Sequence, residues 1–412
     1  MEATEKPRVL FVDDDPNILS GLRRTLRERR GEWEMSFIGS GSDALLLMER
    51  ETADVVVSDM RMPEMDGASL LTRIKELYPQ TVRIILSGFS DKETIIRTVG
   101  PSHQYLSKPC ETSLLVAAIR RSLTLRRLLT SDSLRAAVSG LAHLPTPPRM
   151  FAEIMAELDS NTGSVSSLSR KIGADVGISA QILKLTNSAY FGLPTTVSDI
   201  DDAIRLLGFD TVKAVFLFAG VFSTFAGQAQ VAAILERVSQ RSLKNSHLAK
   251  LIAQSEGLPQ AQINATACAG LLAHVGTVML AVNFPDPFAK VMERAEAEHI
   301  SIDGVEQEVF QATHGVMGAY LLGLWGFNDP IVEAVAYHHH PGQSGARENG
   351  ALAIVHVAQC LAQAESRPEY LEKYLERELD LAYLKDAGVL NRLPRWIDLF
   401  RTVNKEWQSH AA

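Results

Sequence analysis

The chain has 412 residues, enough for two or three domains that each bury their own core. Its formal net charge of −8 at pH 7 argues against a general affinity for nucleic acid phosphates. Its three cysteines are far apart and lack C-x-x-C spacing, which argues against a zinc ribbon and a disulfide framework. The chain opens without an apolar run, and the apolar segment AVFLFAGVF is too short to span a bilayer. We therefore expect a cytoplasmic protein that has no secretory signal and no membrane span.

The first 125 residues alternate short apolar segments with amphipathic ones. RVLFV, DVVVS, VRIIL and HQYLS have the length of strands, and the first three are apolar enough for a parallel sheet that is covered on both faces. Between the first two segments, Ile18, Leu22 and Leu26 recur at helical spacing. This alternation predicts an α/β, doubly wound, flavodoxin-like domain with a five-stranded parallel sheet.

Polar side chains follow these strands. Asp13 and Asp14 come after the first, Asp59 ends the second, and Ser87 and Lys108 follow later ones. Ligands of such folds collect at the carboxyl ends of the strands, so these groups should share one crevice. Three carboxylates stay ionised together when a cation lies among them, and oxygen ligands of this kind suit Mg²⁺. A carboxylate beside a divalent ion and an ammonium group can form an aspartyl phosphate, and Asp59 is the nucleophile we predict.

The segments FVDDDP, VVVSDMRMPEMDG, IILSGFS and YLSKP together resemble the receiver domain of two-component response regulators. The segment VGPSHQYL departs from that family because it lacks the usual Gly-Ala turn before the aromatic residue. The resemblance implies a Mg²⁺-dependent phosphoacceptor site with the following roles: Asp59 as phosphoacceptor, Asp13 and Asp14 as metal ligands together with Asp59, Lys108 as the phosphate contact, and Ser87 and Tyr105 as a switch pair.

A connector follows the first domain. The sequence favours helix from Glu111 to about Gly140, and the proline-rich HLPTPP at residues 143–148 marks a boundary. We therefore divide the chain into a first domain at 1–125, a connector helix and linker at 126–143, and a second domain at 144–406.

The second domain is predicted to be all-helical. Its segment SLSRKIGADVGISAQILKL has the outline of a helix-turn-helix, which keeps a DNA-binding regulator as one alternative. The second helix of that segment supplies only Gln181 and Lys184 among apolar residues, and acidic residues lie near it in sequence. These features argue against nucleic acid as a ligand.

Histidines recur along the second domain in the order found in HD phosphohydrolases. The run CAGLLAHVGTVML resembles the metal-binding helix of that superfamily, but Ala273 and His274 occupy the positions of its His-Asp pair, and Thr277 replaces its lysine. The segment HHHPGQSGA has His340 where related cyclic di-GMP phosphodiesterases have an acid, and it lacks their Gly-Tyr-Pro signature. A phosphohydrolase remains the second alternative, because histidines could still assemble an unorthodox site.

The segments LPTPPRMFAEI, LKLTNSAYFG, AIRLLGFDTVKAVFLF and HGVMGAYLLGLWGF narrow the resemblance to the HDOD domain, an HD-related output domain of bacterial signalling proteins. The resemblance implies an HD-like helical fold that acts as a scaffold for protein partners and has no established catalysis. We therefore expect no cofactor in this domain and a degenerate HD site, made of His247, Ala273, His274, His314, His338 and His339.

The sequence thus predicts a bacterial response regulator rather than an enzyme. Its expected partners are a cognate histidine kinase or phosphotransfer protein, which phosphorylates Asp59, and an unidentified downstream protein, which binds the HDOD domain. The sequence leaves homodimer formation open.

Overall fold

The computed structural model describes residues 6–87, 101–126, 132–140, 164–187, 196–207, 229–298, 300–344, 350–364 and 371–411, with Ile154, Glu157, Leu158 and Val212 between them. Several sequence predictions fall outside these residues. They are the proline-rich boundary at 143–148, most of NSAYFG, and the apolar segment AVFLFAGVF.

The N-terminal domain contains a parallel sheet of five strands in the order β2-β1-β3-β4-β5. The strands are β1 (Arg8–Val12), β2 (Glu34–Ile38), β3 (Val55–Asp59), β4 (Val82–Ser87) and β5 (Gln104–Ser107). Four of them coincide with the apolar segments of the sequence, so the predicted α/β class is confirmed. The fifth, β2, is an edge strand whose residues are partly or fully exposed, and it therefore lacks a continuous apolar run.

Helices cover the sheet and begin at residues that cap them. They are α1 (Pro16–Thr25), α2 (Gly41–Arg50) and α3 (Gly67–Leu77). The side chains of Asp15, Ser40 and Asp66 accept hydrogen bonds from backbone amides of the first turn of α1, α2 and α3 in turn. Asp15 and Asp66 flank the strand ends of β1 and β3, so these caps also fix the loops that carry Asp13 and Asp59.

The connector is two helices in the described residues. Helix α4 (Thr112–Arg126) packs against the sheet, and α5 (Asp132–Gly140) follows it. Leu115, Ile119 and Leu123 of α4 are buried at helical spacing. The helical character predicted for residues 111–140 is therefore present in both segments.

After α5, the part of the chain that the structure describes is mostly helical, as the sequence predicts. Its helices are α6 (Val165–Gly173), α7 (Val176–Thr186), α8 (Ile200–Leu207), α9 (Ala229–Ser255), α10 (Gln260–Leu272), α11 (Val275–Asn283), α12 (Pro285–Glu298), α13 (Ile302–Phe310), α14 (His314–Leu324), α15 (Asp329–Tyr337), α16 (Ala351–Ala364), α17 (Leu371–Glu378), α18 (Leu381–Asp386) and α19 (Leu393–Ala411).

The centre of the helical domain is formed by α9, α10 and α16, which pack against one another, with α15 against α10 and α16. The consecutive helices α10 and α11 span Gln260–Asn283 and are apolar enough, by length and composition, to cross a membrane. However, 89% of their most apolar window is buried inside the fold. This burial indicates that α10 and α11 belong to the core of the helical domain.

The two domains share a hydrophobic core and polar contacts. Helix α4 packs against α14, and one buried cluster includes Ile119 of the first domain and Tyr320 of the second. The Gln104 amide donates to the Gly323 carbonyl at 3.1 Å, and the Arg121 guanidinium donates to the Phe327 carbonyl at 2.9 Å. The β5 and α4 side of the sheet domain is therefore docked on the C-terminal end of α14.

Candidate functional site

The first site lies at the carboxyl ends of β1, β3 and β5. Asp13 follows β1 and is 3% exposed, and Asp59 ends β3 and is 9% exposed. The Lys108 ammonium follows β5 and contacts both: it donates to Asp13 at 2.7 Å and to Asp59. The structure thus brings together the two carboxylates and the lysine that the sequence predicts to share a crevice.

Backbone amides hold the two carboxylates in place. The Arg61 N–H donates to Asp59 Oδ2 at 2.7 Å, and the Asp15 N–H donates to Asp13 Oδ1 at 3.0 Å. Each carboxylate therefore has one oxygen fixed by the backbone and the other directed at Lys108. This arrangement presets the side chains before any ligand arrives.

The charge of Lys108 is stabilised by these contacts. Burial lowers the pKa of Lys108, but its hydrogen bonds to Asp13 and Asp59 outweigh burial, and the net effect raises the pKa. Lys108 therefore stays charged and offers one positive charge to two carboxylates. Carboxylate oxygens such as those of Asp13 and Asp59 are ligands that Mg²⁺ prefers, and Asp14, which is next to Asp13 in the chain, is exposed.

Gly67 is required for the shape of the loop after β3. A Cβ atom at residue 67 would overlap the carbonyl oxygen of Asp59, and the Gly67 N–H donates to the Met60 carbonyl at 2.9 Å. The start of α3 can approach the end of β3 this closely only without a side chain. Asp59 is consequently held between the strand end and the first turn of α3.

The predicted switch residues occupy the neighbouring strands. Ser87 ends β4, and Tyr105 lies in β5, where it is in register with Ile85. The side chains of both residues lie outside the part of the chain that the structure describes. Their role as a switch pair stays a prediction.

A second cluster lies in the helical domain and consists of four histidines. His274 precedes α11, His314 opens α14, and His338 and His339 directly follow α15. Their candidate ligand atoms all lie within 4.8 Å of one another. Gly276 makes this possible, because a Cβ atom there would overlap the His314 carbonyl oxygen and separate α11 from α14.

Several nitrogens of this cluster have hydrogen-bond partners. His314 Nδ1 lies 2.7 Å from the Glu306 carboxylate, and His338 Nδ1 lies 2.8 Å from the Val335 carbonyl oxygen. His339 Nε2 lies 3.2 Å from His314 Nε2. By contrast, both ring nitrogens of His274 and the Nε2 of His338 are buried without a partner. Each buried polar group left unpaired costs about 1–3 kcal/mol, so these positions call for an explanation.

Burial favours the neutral form of three imidazoles of the cluster. Burial lowers the pKa of His274, His338 and His339 well below that of an ordinary histidine, and the charges of Arg241 and neighbouring histidines lower it further. Neutral imidazole is the form that coordinates metals and accepts protons.

A cavity of about 450 Å³ opens beside the cluster and is lined by His339, Arg241 and Asp303 among others. Asp303 is paired with His340, and its pKa is lowered: burial alone would raise it, but the His340 hydrogen bond and charge outweigh burial. Sequence reasoning missed Asp303, Glu306 and Arg241 as neighbours of the histidines. Glu306 precedes His314 by eight residues, and this separation does not match a known spacing of metal ligands, so the sequence offered only a weak indication that the two side chains meet.

Two members of the predicted degenerate site do not join the cluster. His247 lies on the exposed side of α9 and is not among the four grouped histidines, so its assignment to this site is corrected. An amphipathic helix turns positions 245 and 247 to different sides, and Asn245 is the one that is buried. Ala273 is buried directly before His274 and contributes no ligand atom.

The helix-turn-helix outline of the sequence is present as α6 and α7. However, Gln181 is 1% exposed and Lys184 is 8% exposed. Lys184 donates to the Ser102 carbonyl of the sheet domain at 3.2 Å and lies over the Trp325 ring. The polar groups that could read DNA from α7 are therefore used inside the protein.

Two domain families match the chain. The response regulator receiver domain matches residues 9–120, and the HDOD domain matches residues 144–341. Among solved structures, the receiver domain of an HD domain-containing protein from Pseudomonas fluorescens Pf-5 is 34% identical, covers 30% of this chain and 98% of its own, and has a TM-score of 0.29. The MmoQ response regulator of Methylococcus capsulatus is 23% identical over 62% of this chain and 98% of its own, with a TM-score of 0.46.

Curated relatives match a smaller part of the chain. The hydrogenase transcriptional regulatory protein HoxA of Bradyrhizobium diazoefficiens is 38% identical over 122 residues, or 29% of this chain and 24% of that protein. The DNA-binding transcriptional regulator NtrC of Proteus hauseri is 37% identical over 121 residues, or 29% of this chain and 25% of that protein. The chain thus spans about a quarter of the length of these relatives. With the two domain matches, the chain is a response regulator in which a receiver domain precedes an HDOD domain.

Proposed function

We propose that Asp59 accepts a phosphoryl group and that its phosphorylation controls the HDOD domain as a non-catalytic, protein-binding output module. The observation that carries this proposal is the Lys108 ammonium held against both Asp13 and Asp59 at the strand ends. A histidine kinase or phosphotransfer protein would donate the group. The downstream partner would be a protein that binds the HDOD surface.

The site supports attack by a carboxylate on phosphorus. One oxygen of Asp59 is fixed by the Arg61 N–H, which leaves the other to attack the phosphoryl group as the donor's phosphorus–nitrogen bond breaks. Lys108 would move from the Asp59 oxygen to an oxygen of the transferred group and neutralise part of its charge. Asp13, Asp14 and Asp59 would hold Mg²⁺, which supplies further charge neutralisation when it is bound.

The domain contacts support an output that depends on docking. The receiver meets α14 and the loop after it through Gln104 and Arg121, which lie on β5 and α4. Lys108, the phosphate contact, follows β5 directly. A change at the phosphoacceptor site therefore has a short path to the surface on which the HDOD domain rests.

Two alternatives have weaker support. The match to regulators named for transcription or DNA binding covers 29% of this chain, and the polar residues of α7 are buried. For hydrolysis, Ala273 and His274 stand where the related phosphohydrolases have a His-Asp pair, so the bridging carboxylate of a dinuclear centre is missing.

Phosphorylation of the purified protein tests the proposal. Acetyl phosphate with Mg²⁺ should add one phosphoryl group to the intact mass, and chelation of Mg²⁺ should prevent it. Asp59→Asn should remove the labelling, whereas Asp386→Asn, a change of an exposed aspartate in the HDOD domain, should leave it unchanged. Full labelling of Asp59→Asn would contradict the assignment.

A further inference from the structure

We propose that His274, His314, His338 and His339 form a mononuclear binding site for a divalent transition metal ion of the Zn²⁺ class. The sequence predicts no metal in this domain, because the His-Asp pair of the HD phosphohydrolases is absent. The geometry points to a different site, made of imidazoles alone, at the junction of α11, α14 and α15.

The spacing of the four rings fits one small ion. In a tetrahedral zinc site with Zn–N distances of about 2.0–2.1 Å, neighbouring nitrogens lie about 3.4 Å apart. His339 Nε2 and His314 Nε2 are 3.2 Å apart, and all the candidate nitrogens lie within 4.8 Å of one another. Small side-chain rotations would bring the other two rings to the same ion.

The unpartnered nitrogens point to a missing ligand. His274 is 3% exposed, and neither of its ring nitrogens has a hydrogen-bond partner. His338 is fully buried, and its Nε2 also has none. A bound cation would accept a lone pair from each ring, so the burial of these nitrogens without protein partners is explained if an ion lies between them.

Neighbouring groups orient the rings as metal sites require. The Glu306 carboxylate accepts from His314 Nδ1–H, and the Val335 carbonyl accepts from His338 Nδ1–H, which in each ring directs the Nε2 lone pair toward the cluster. The side chain of Gln359 lies 3.1 Å from His339 Nδ1, and its Oε1 is buried without a partner. With its amide turned, Oε1 would accept from Nδ1–H and direct the Nε2 of His339 inward as well.

The composition of the site selects the ion and limits its role. Four imidazole ligands suit Zn²⁺, Cu²⁺ and Ni²⁺ better than Mg²⁺ or Ca²⁺, which prefer oxygen ligands. Glu306 is buried beside His314 and would balance part of the charge of the ion. Four protein ligands leave no open position for water, as in structural zinc sites, so this site would hold its ion without hydrolysing a phosphoester.

An entry path is present. His339 belongs both to the cluster and to the wall of the cavity of about 450 Å³, where Asp303 and Glu378 also lie. An ion in this cavity would therefore have both carboxylates and the His339 imidazole in the surrounding wall. The metal could therefore load after the domain has folded.

Metal titration of the full-length protein tests this proposal. The protein would be prepared without a histidine tag, in the Asp59→Asn background that disables the receiver site, and stripped with a chelator. Addition of Co²⁺ should saturate at one equivalent with the intense visible absorption of a tetrahedral site, and Zn²⁺ should displace it. His274→Ala and His338→Ala should each weaken binding at least tenfold, whereas His247→Ala, a change of an exposed histidine in the same domain, should not.

The experiment decides in either direction. Uptake of less than about one tenth of an equivalent of Co²⁺ and Zn²⁺ by the Asp59→Asn parent protein overturns the proposal, as does binding that both cluster variants retain in full. Far-UV circular dichroism monitors whether the variants fold. If the alanine variants do not fold, the titration is repeated with the conservative variant His274→Gln. The Co²⁺ spectrum of the parent protein is a further test, because an octahedral spectrum would contradict a four-histidine site. Failure here leaves phosphorylation of Asp59 untouched, since the two sites share no residue.

Discussion

The Lys184 ammonium, in α7 of the HDOD domain, donates a hydrogen bond to the Ser102 carbonyl of the receiver domain at 3.2 Å. The same ammonium lies 4.7 Å from the centre of the Trp325 ring. A lysine is thus buried between the two domains, with a carbonyl dipole on one side and an aromatic face on the other. Burial, together with the charges of Arg83 and Lys75, lowers its pKa to about 7.

Because the pKa of Lys184 is lowered in the folded protein, we expect the stability of the protein to rise with pH. Between a folded pKa of about 7 and the ordinary value of 10.5, the unfolded chain binds a proton that the folded protein does not. The free energy of unfolding should therefore increase as pH rises through this window, by up to about 1.4 kcal/mol per pH unit from this group. Lys184→Met should remove that slope and should be at least as stable as wild type at pH 7. Urea unfolding of both proteins from pH 7 to 10 measures the difference.

Lys171→Met is the control for this experiment, because Lys171 lies in the preceding helix α6 and is paired with Glu157 near the surface. The free energy of unfolding of Lys171→Met should differ little from that of wild type, and this difference should change little over the same pH range. Parallel pH profiles of wild type and Lys184→Met would mean that Lys184 does not titrate within this pH range in the folded protein.

Two adjacent arginines of α4 should differ in their effect on docking. Arg121 donates to the Phe327 carbonyl of the HDOD domain at 2.9 Å, whereas Arg120 pairs with Glu32 within the receiver. Arg121→Ala should weaken the domain interface by about 1–2 kcal/mol, since a hydrogen bond from a charged donor to a partly buried carbonyl is lost. Its ion pair with Asp329 adds little, because the Asp329 side chain is 80% exposed.

Limited proteolysis of the connector measures this effect. Cleavage within residues 127–153 should be faster in Arg121→Ala than in wild type, and Arg120→Ala should match wild type. Equal cleavage rates for the two variants would mean that the Arg121 contact does not hold the domains together.

The loop that carries Asp59 depends on Gly67. Because a Cβ atom would overlap the Asp59 carbonyl oxygen, Gly67→Ala should destabilise the protein by about 1–3 kcal/mol and reduce phosphorylation of the fraction that folds. Gly21 of α1 has no atom within 4 Å of an added Cβ, so Gly21→Ala should stabilise it by up to about 1 kcal/mol. Thermal unfolding of both variants checks the opposite signs. A neutral or stabilising Gly67→Ala would contradict the close approach.

The sequence predicts the receiver well because its signals are local. Each of β1, β3, β4 and β5 is a short apolar run that ends at a polar residue, and the parallel topology then brings Asp13, Asp59 and Lys108 together. The edge strand β2 carried no such run, since its residues are half-exposed.

The helical site was harder to predict because its neighbours are distant in sequence. Glu306 and Gln359 meet His314 and His339 only through the packing of α13 and α16 around α14 and α15. Helical periodicity places a residue on a face but does not say which helix that face meets. His247 was therefore grouped with the cluster by its order in the chain, although it lies on the exposed side of α9.

Phosphorylation should change how the domains dock. Formation of an aspartyl phosphate at Asp59 would draw Lys108 away from its present contacts, and Lys108 follows the strand whose Gln104 donates to the Gly323 carbonyl. Phosphorylation can shift the equilibrium between two docking arrangements only by the difference in its interaction free energy with them. We expect this difference to be about 1–3 kcal/mol. Small-angle scattering and sedimentation with and without beryllofluoride should show a changed domain arrangement or self-association, and Asp59→Asn should show none. Identical profiles with Asp59 fully occupied would mean that the receiver signals through another surface, because the β5 and α4 contacts with the HDOD domain would then be the same in both states.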